Sequence, residues 1–282
     1  MPIVEPFSSK TLHQSQELHH RVLLAEAWWR GVEPWFLSAQ QQPTQTMAAL
    51  RSIFVTGANQ GLGMHAVHQL AQTPSVLVFM GSRKLSNAKD ALAKFAGDVH
   101  ASSTVVPVQL DLTDAESIKK AAIVVDETLK EKGLTGLDVL VNNAAIATNS
   151  FPDVYAVNVV GTAAITAALR PLLNQNGSII NISSELGSLT WHTKRPPPPL
   201  FAAYSSSKSA LNQMTLIWAI EEEQKKSGVR VVSICPGFNA TALNNYTGTQ
   251  APEDGVKVIV KTALEKSGAS GVYFNKEGPI AW

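Results

Sequence analysis

Short runs of apolar and β-branched residues alternate with longer amphipathic stretches from residue 51 to the end of the sequence. The apolar runs are nearly continuous, which is typical of parallel strands that are covered by helices on both faces. The longer stretches have helical spacing. This alternation predicts a single doubly wound α/β domain of the Rossmann type, with a seven-stranded, mainly parallel sheet and helices on both faces.

The predicted strands are residues 52–55, 76–80, 104–110, 137–141, 178–182, 229–234 and 272–274. The predicted helices are residues 61–72, 87–96, 115–131, 154–173, 203–226 and 252–267. Gly228 marks the stop after the fifth of these helices, because glycine adopts the left-handed conformation that ends many helices.

Residues 1–50 form an N-terminal extension to a domain that spans residues 51–282, and the extension is either helical or poorly ordered. A helix over residues 17–37 would place Trp29 and several aliphatic side chains near one side. Such a face fits docking on the domain, a protein partner or a membrane surface. Alternatively, the segment is an upstream extension and Met47 is the working initiator.

Residues 190–200 contain four consecutive prolines, from Pro196 to Pro199. Proline lacks the backbone N–H and fixes φ, so the segment is expected to be a stiff loop with neither helix nor strand. It is either a surface insertion or a proline-rich motif for a partner.

Composition and charge restrict the class of partner. The chain has 282 residues, 45% hydrophobic and 16% charged, with a formal net charge of +1. This near-neutral balance argues against nucleic acid as a partner and favours a small molecule. There is no long uncharged apolar run, so we expect no membrane span and a cytoplasmic protein.

The single cysteine, Cys235, lies at the end of an apolar run and is expected to be a buried thiol. One cysteine cannot form an intrachain disulfide. The sequence also lacks a Cys/His cluster with zinc spacing, so no metal site is expected.

The sequence TGANQGLG, at residues 56–63, follows the first predicted strand and opens the first predicted helix. Glycines at Gly57, Gly61 and Gly63 let the backbone approach a pyrophosphate, and the helix N-terminus supplies amide donors. In this position the motif predicts a dinucleotide site, although glycine-rich turns of this kind also occur without a nucleotide.

The second strand runs into Ser82, Arg83 and Lys84, and the next acidic residue is Asp90. An acid at this position binds the free ribose hydroxyl of NAD, whereas a base accommodates a 2′-phosphate. The sequence therefore favours NADP(H). Asp111 is a candidate contact for the adenine amino group, and Asp114 fits a helix cap.

Tyr204 and Lys208 are four residues apart within a predicted helix, so both side chains project from one face. A nearby ammonium favours the phenolate, which makes the pair a candidate proton donor and acceptor. Pairs with this spacing also occur by chance on helix surfaces.

These motifs, taken in order, resemble the short-chain dehydrogenase/reductase family and are most similar to its NADPH-dependent carbonyl reductases. The resemblance covers about residues 50–282. The matched positions are TGANQGLG at 56–63, Asp111, NNAA at 142–145, Asn158, NISS ending at Ser184, YSSSK at 204–208 and PGFNAT at 236–241.

The resemblance implies a role for each matched residue. Tyr204 is the general acid, Ser184 hydrogen-bonds the substrate oxygen, Lys208 lowers the pKa of Tyr204 and binds the nicotinamide ribose, and Asn158 holds a water in the proton relay. The implied cofactor contacts are Gly57, Asn59, Gln60, Gly61, Leu62, Gly63, Ser82, Arg83, Asp111, Leu112, Asn143, Ala144, Tyr204, Lys208, Pro236, Gly237 and Thr241.

Three features depart from the family pattern. Ala145 replaces the usual glycine near the cofactor, and Asn239 replaces an apolar residue, which suggests a polar contact near the substrate or nicotinamide. Ser184 and Tyr204 are 20 residues apart, more than in most members. We therefore expect two loops to border the substrate pocket: one with Trp191, His192, Arg195, Pro196 and Phe201, and a lid at residues 239–250.

The leading hypothesis is an NADPH-dependent oxidoreductase that transfers hydride to a ketone or aldehyde, with Tyr204 as the general acid. Alcohol oxidation by the same site and a non-catalytic NADPH-binding scaffold are the alternatives. The resemblance also implies a homodimer or homotetramer built on the helices that carry Asn158 and Tyr204, while the enlarged loop before Tyr204 leaves a monomer open.

Overall fold

A computed structural model of the protein describes residues 50–194 and 201–282. Expectations for residues 1–49, and for Arg195 and the prolines that follow it, lie outside the described residues. The described strands are β1 (Arg51–Val55), β2 (Val76–Ser82), β3 (Thr104–Gln109), β4 (Leu137–Asn142), β5 (Leu173–Ile182), β6 (Arg230–Ile234), β7 (Val272–Asn275) and β8 (Gly278–Pro279).

The helices are α1 (Gly61–Ala71), α2 (Leu85–Ala93), α3 (Ala115–Glu131), α4 (Phe151–Tyr155), α5 (Thr162–Leu169), α6 (Leu189–Lys194), α7 (Ala202–Lys225), α8 (Pro252–Gly255) and α9 (Lys257–Leu264). A π-helical stretch, Ala156–Gly161, joins α4 to α5. Short 3₁₀ turns follow α2 and α5, and two more follow β5 and β6.

The sheet has the order β3-β2-β1-β4-β5-β6-β7-β8, and all of its strands are parallel except β8. From β1 the strand order runs outward to β3 on one side, and from β4 it runs outward to β8 on the other. The loops after β1 and β4 therefore diverge and leave a crevice at the carboxyl ends of these two strands. Two large apolar clusters cover opposite sheet faces, one including Ile53 and Val139, the other Phe54 and Leu140. The predicted doubly wound α/β class is confirmed.

The sheet has eight strands, not seven. β8 is only two residues long and pairs antiparallel with β7 through a turn in which Asn275 Oδ1 accepts bonds from the amides of Glu277 and Gly278. A strand this short has no hydrophobic alternation of its own. Its pairing depends on the turn and on its position beside β7.

The helix expected over residues 154–173 ends at Leu169, and β5 begins at Leu173 instead of Ser178. Pro171 cannot donate a helical hydrogen bond, and Arg170–Leu172 forms a 3₁₀ turn. The early start of β5 includes an irregular pairing with β4, where Asn174 donates to Asp138 Oδ1 at 2.9 Å.

Residues 190–194 were expected to be irregular, and this was wrong, because α6 spans Leu189–Lys194. The Ser188 hydroxyl accepts the Trp191 amide at 3.0 Å and so caps the first turn. The expected helix over residues 252–267 is divided into α8 and α9. Gly255, at the division, packs so closely on the Asn239 side chain that no Cβ fits there.

One described helical stretch, Phe151–Leu172, is long and apolar enough to cross a membrane by length and composition alone, with a mean hydropathy of 1.2. Part of it lies in the protein core, since Val154, Ile165 and Leu169 are fully buried. A core helix of this kind passes the same test as a membrane span, so the stretch is weak evidence for one.

Candidate active site

Two loops at the carboxyl ends of β1 and β4 are bonded to each other through Thr56. Its hydroxyl oxygen accepts the backbone amides of Asn143 and Ala144, both at 2.9 Å. In return, the Asn143 side chain donates to the carbonyl of Thr56 at 2.8 Å and to that of Gly57 at 3.2 Å. Thr56 and Asn143 therefore set the width of the crevice at the reversal point of the sheet.

The glycine turn between β1 and α1 has the geometry of an anion site. Gly57 and Gly61 have φ values of +61° and +52°, which side chains other than glycine rarely adopt. The cap residue of α1, Gln60, makes no side-chain capping bond, and the first turn of α1 has no acidic residue. The first amides of this 11-residue helix are thus available to a phosphate. Asn59 and Leu62 lie half-buried in the same turn.

The end of β2 presents a positive charge next to this turn. Ser82 is buried and donates to the Lys84 carbonyl at 3.0 Å, while the side chain of Arg83 is exposed. Within the described residues, the Arg83 guanidinium has no hydrogen bond or ion pair at short range. This arrangement fits a 2′-phosphate.

Asp111 and Leu112 follow β3. Asp111 Oδ1 accepts the amide and the hydroxyl of Thr113 at 2.9 and 2.7 Å, and these bonds hold the pKa of the carboxyl below its usual range. The buried Leu112 packs in the core. Asp114 caps α3 through the Glu116 amide at 3.0 Å, as expected for this residue.

Tyr204 and Lys208 lie in the first turns of α7, next to the end of β5. The Lys208 ammonium is 5.6 Å from the centroid of the Tyr204 ring and donates to the Ile182 carbonyl at 2.7 Å. Ser184 begins the 3₁₀ turn after β5, where its hydroxyl oxygen accepts the Leu186 amide at 3.3 Å. The structure therefore brings Ser184, Tyr204 and Lys208 to one edge of the sheet, the same edge as the glycine turn.

Burial raises the pKa of the Tyr204 phenol above its usual value, with a further increase from Cys235 nearby and a smaller opposing effect from Ser184. Burial also lowers the pKa of Lys208 to about 8. The lowered tyrosine pKa implied by the resemblance is therefore absent from this structure, because burial has the largest influence on the phenol.

The pKa of Lys208 predicts a pH dependence of stability. Between about 8 and the ordinary value of 10.5, the unfolded chain binds more protons at this residue than the folded protein does. The free energy of unfolding should therefore rise by roughly 1–3 kcal/mol as pH increases through this range, and should fall as pH drops through the folded pKa. Urea titrations across this range would measure the rise, which we expect to be missing in Lys208→Met.

The matched control is Lys89→Met, because Lys89 is an exposed lysine on α2. It should retain the pH-dependent rise of the wild type. Equal slopes for Lys208→Met and the wild type would show that the lysine titrates normally in the folded protein.

Asn158 lies in the π-helical stretch, and its buried amide is fully hydrogen-bonded. Its Oδ1 accepts the Ile146 amide at 2.9 Å, and its Nδ2 donates to the Ile146 carbonyl and to Ser207 Oγ, both at 3.0 Å. Ser207 lies between Tyr204 and Lys208 in the sequence. Asn158 thus ties the loop after β4 to the first turns of α7, and a water bound to it stays a prediction.

The loop after β6 brings Pro236, Gly237 and Thr241 to the crevice. Gly237 has a φ of +86°, and Thr241 lies against Gly61, 3.6 Å from where a Cβ on that glycine would be. Cys235, just before the loop, is buried as expected, and burial raises its pKa.

The side chain of Asn239 bonds the backbone of its own loop, and the polar contact to the substrate or nicotinamide that its departure from the family pattern suggested stays a prediction. It is 4% exposed, and its Nδ2 donates to the carbonyls of Pro236 and Gly237 at 3.0 and 2.9 Å. The side-chain amide of Asn239 therefore holds the turn at residues 236–239 in place. Residues 239 and 250 also pair with each other, which closes the loop at its base; its function as a lid stays a prediction.

Five buried polar side chains form a hydrogen-bonded chain behind the site: Asn142, Asn181, Thr215, Ser233 and Asn212. It ends where Asn212 donates to the Gly187 carbonyl at 3.3 Å, in the turn that begins at Ser184. Sequence reasoning missed this chain. The available signal was a polar residue inside an apolar strand, as for Asn181 and Ser233.

The expected pocket rim is described only in part. Trp191 and His192 are half-buried on α6, and His192 Nε2 lies 2.8 Å from the Leu186 carbonyl oxygen. Phe201, at the start of α7, is 41% exposed. Within residues 50–194 and 201–282, no group of three or more metal-ligating side chains is present.

The reversal of the sheet and the glycine turn together define a dinucleotide-binding α/β protein. Residues 51–252 match the family model for short chain dehydrogenase. The short-chain dehydrogenase anuI of Penicillium roqueforti is 33% identical over 235 residues, 76% of this chain and 89% of that protein. Estradiol 17-beta-dehydrogenase 2 of Mus musculus is 32% identical over 212 residues, 71% of this chain and 50% of that protein.

Solved structures agree with this relationship. The NADPH-bound carbonyl reductase from chicken fatty liver is 28% identical, with a TM-score of 0.68 over 83% of this chain and 100% of that one. The carbonyl reductase Sniffer of D. melanogaster is 26% identical, with a TM-score of 0.70 and the same coverage. The chain belongs to the short-chain dehydrogenase family and is an NAD(P)-dependent oxidoreductase, and the resemblance to carbonyl reductases is confirmed.

Proposed function

We propose that this protein uses NADPH to reduce a ketone or aldehyde, with Tyr204 as the general acid. The observation that carries the proposal is that Ser184, the Tyr204 phenol and the Lys208 ammonium lie together, on the same sheet edge as the glycine turn. A general acid must hold its proton at working pH, as a phenol does, and the ammonium beside it would favour release of that proton to the substrate.

The residues of the crevice suit NADPH. The glycine turn and the free amides of α1 suit the pyrophosphate, and exposed Arg83 suits the 2′-phosphate. Lys208 and the turn at Pro236 and Gly237 would border the nicotinamide ribose and carboxamide. A bound NADPH would supply the hydride, a reaction for which these side chains have no substitute.

Ser184 and Tyr204 would act on the substrate oxygen. The Ser184 hydroxyl is held by the Leu186 amide and bonds the Tyr204 side chain, and it would donate its proton to the carbonyl as negative charge develops. Tyr204 then transfers its proton to the same oxygen. Lys208, fixed by the Ile182 carbonyl, is close enough to stabilise the phenolate that remains.

Isotope transfer tests the proposal directly. The purified protein is incubated with NADPH that carries deuterium at the transferred position and with a panel of ketones and aldehydes, and the products are analysed by mass spectrometry. We expect deuterium on the new alcohol carbon. Tight NADPH binding without turnover across the panel would instead favour the non-catalytic scaffold, and turnover only of alcohols with NADP⁺ would favour oxidation.

Arg83→Gln is expected to change cofactor preference. Loss of a charge-assisted bond to the 2′-phosphate should raise the Kd for NADPH roughly 10- to 100-fold and leave the Kd for NADH nearly unchanged. Fluorescence titration of both cofactors measures the ratio. Lys89→Gln, an exposed charge on α2, is the matched control and should bind both as the wild type does. Equal losses for both cofactors would refute a role in phosphate recognition.

A further inference from the structure

The segment after β7 is bonded to the chain that leads away from Ser184. The Ala281 carbonyl accepts the Ser188 hydroxyl at 2.6 Å, and the Trp282 backbone oxygen accepts both the amide and the hydroxyl of Thr190, at 3.0 and 2.7 Å. Three hydrogen bonds therefore join residues 281–282 to the first turn of α6.

The same segment is also anchored in the core. The Trp282 ring lies 5.4 Å from the ring of Tyr273, which is 2% exposed in β7, and the Ile280 amide donates to the Tyr273 carbonyl at 2.8 Å. Because β7 is paired with β6, these contacts connect α6 to the central sheet. Without the contacts of residues 280–282, α6 would be held less firmly, by the adjoining chain alone.

The start of α6 is also fixed to α7. The Gly187 carbonyl, in the turn after Ser184, accepts the Ser209 hydroxyl at 2.9 Å. Thus one side of the segment from Ser184 to α6 is held by α7, and the other side is held by residues 281–282. This segment opens the long connection between the catalytic residues Ser184 and Tyr204, the part of the chain that departs in length from the family.

We propose that residues 278–282, which we call the clasp, fix α6 beside the substrate site and so determine which carbonyl compounds the site accepts. The proposal rests on the proposed function for its consequence and on the contacts of the clasp for its structure. Trp282 and Thr190 are positioning residues. Loosening the clasp should let α6 move relative to Ser184, which weakens binding of a large substrate without removing the groups that react.

Hydrogen exchange tests the structural part without any assay of activity. In the full chain, Thr190→Val removes one hydroxyl bond to the clasp, and Trp282→Ala removes the ring contact with Tyr273. Exchange in peptides covering residues 186–194 should become roughly three- to tenfold faster, the effect of losing about one hydrogen bond. Peptides from β1 and α1 should be unchanged.

Thr193→Val is the matched control, since among the described residues the Thr193 hydroxyl bonds only within α6, to the Thr190 carbonyl at 2.8 Å. It should leave the α6 exchange near that of the wild type, and Trp282→Phe, which keeps an aromatic ring, should restore protection. Unchanged exchange in both Thr190→Val and Trp282→Ala, or an equal effect of Thr193→Val, would overturn the clasp.

Steady-state kinetics test the consequence. Trp282→Ala should raise the KM for a fused-ring ketone such as fluorenone at least threefold. The KM and kcat for nitrobenzaldehyde and the Kd for NADPH should be unchanged. Trp282→Phe should restore the KM. Equal changes in the KM values of the two substrates would overturn the role of the clasp in specificity. If the wild type reduces neither compound, the proposed function fails on these probes, while the exchange result still decides whether the clasp exists.

Discussion

Tyr204→Phe is expected to lower kcat for carbonyl reduction by roughly 10²- to 10⁴-fold, with less than about a threefold change in the Kd for NADPH. The substitution removes only the hydroxyl, so the ring keeps its place beside Lys208. In the wild type, the phenol supplies the proton that the substrate oxygen must receive. Stopped-flow measurement of NADPH oxidation and a fluorescence titration of NADPH would separate the two effects.

The matched control is Tyr155→Phe. Tyr155 lies at the end of α4 and packs on Phe151 with their ring centroids 6.2 Å apart, a contact that the phenylalanine ring retains. Its kcat should stay near that of the wild type. If Tyr204→Phe kept wild-type turnover, another group would have to supply the proton, and the assignment of Tyr204 would fall.

The sequence predicted the central architecture because its strands are continuous apolar runs and its helices are amphipathic. Val76–Ser82 is buried throughout, as expected for a parallel strand covered by helices on both faces. The errors lie where tertiary contacts override the local pattern. At the division of the expected helix, Asn239 leaves no space for a Cβ on Gly255, and β8 pairs with β7 through the turn between them.

The roles of the candidate site residues stay predictions, and the environment of these residues was not predicted. The order of motifs placed Ser184, Tyr204 and Lys208 together, because all three lie near the carboxyl ends of parallel strands. The sequence gives no measure of hydration, however, so it suggested a lowered pKa for Tyr204 where burial raises it. The partners of Asn239 were equally hidden, since the carbonyls it binds become neighbours only when the turn folds.

Gly63→Ala is expected to disrupt cofactor binding strongly. A Cβ at Gly63 would lie 2.5 Å from both the side-chain Nδ2 of Asn143 and the Gly57 carbonyl oxygen, and 2.9 Å from the Ala58 Cα. These atoms belong to the two loops that form the crevice, and two of the three are backbone. They must move apart, which should cost about 1–3 kcal/mol of unfolding free energy.

The same movement should weaken NADPH binding. Asn143 bonds the Thr56 and Gly57 carbonyls, so displacing it opens the turn that faces the pyrophosphate. A shift of about 1 Å in a positioning group can cost roughly 10²-fold, and we expect a loss of that order in kcat/KM, with a higher Kd for NADPH.

Gly97→Ala separates this effect from the general cost of replacing a glycine. A Cβ at Gly97 would meet no atom within 4 Å, and Gly97 lies in the 3₁₀ turn after α2. Its Tm, its Kd for NADPH and its kcat/KM should match those of the wild type. If Gly63→Ala bound NADPH as tightly as Gly97→Ala does, the close contact of the two loops would not be what shapes the cofactor site.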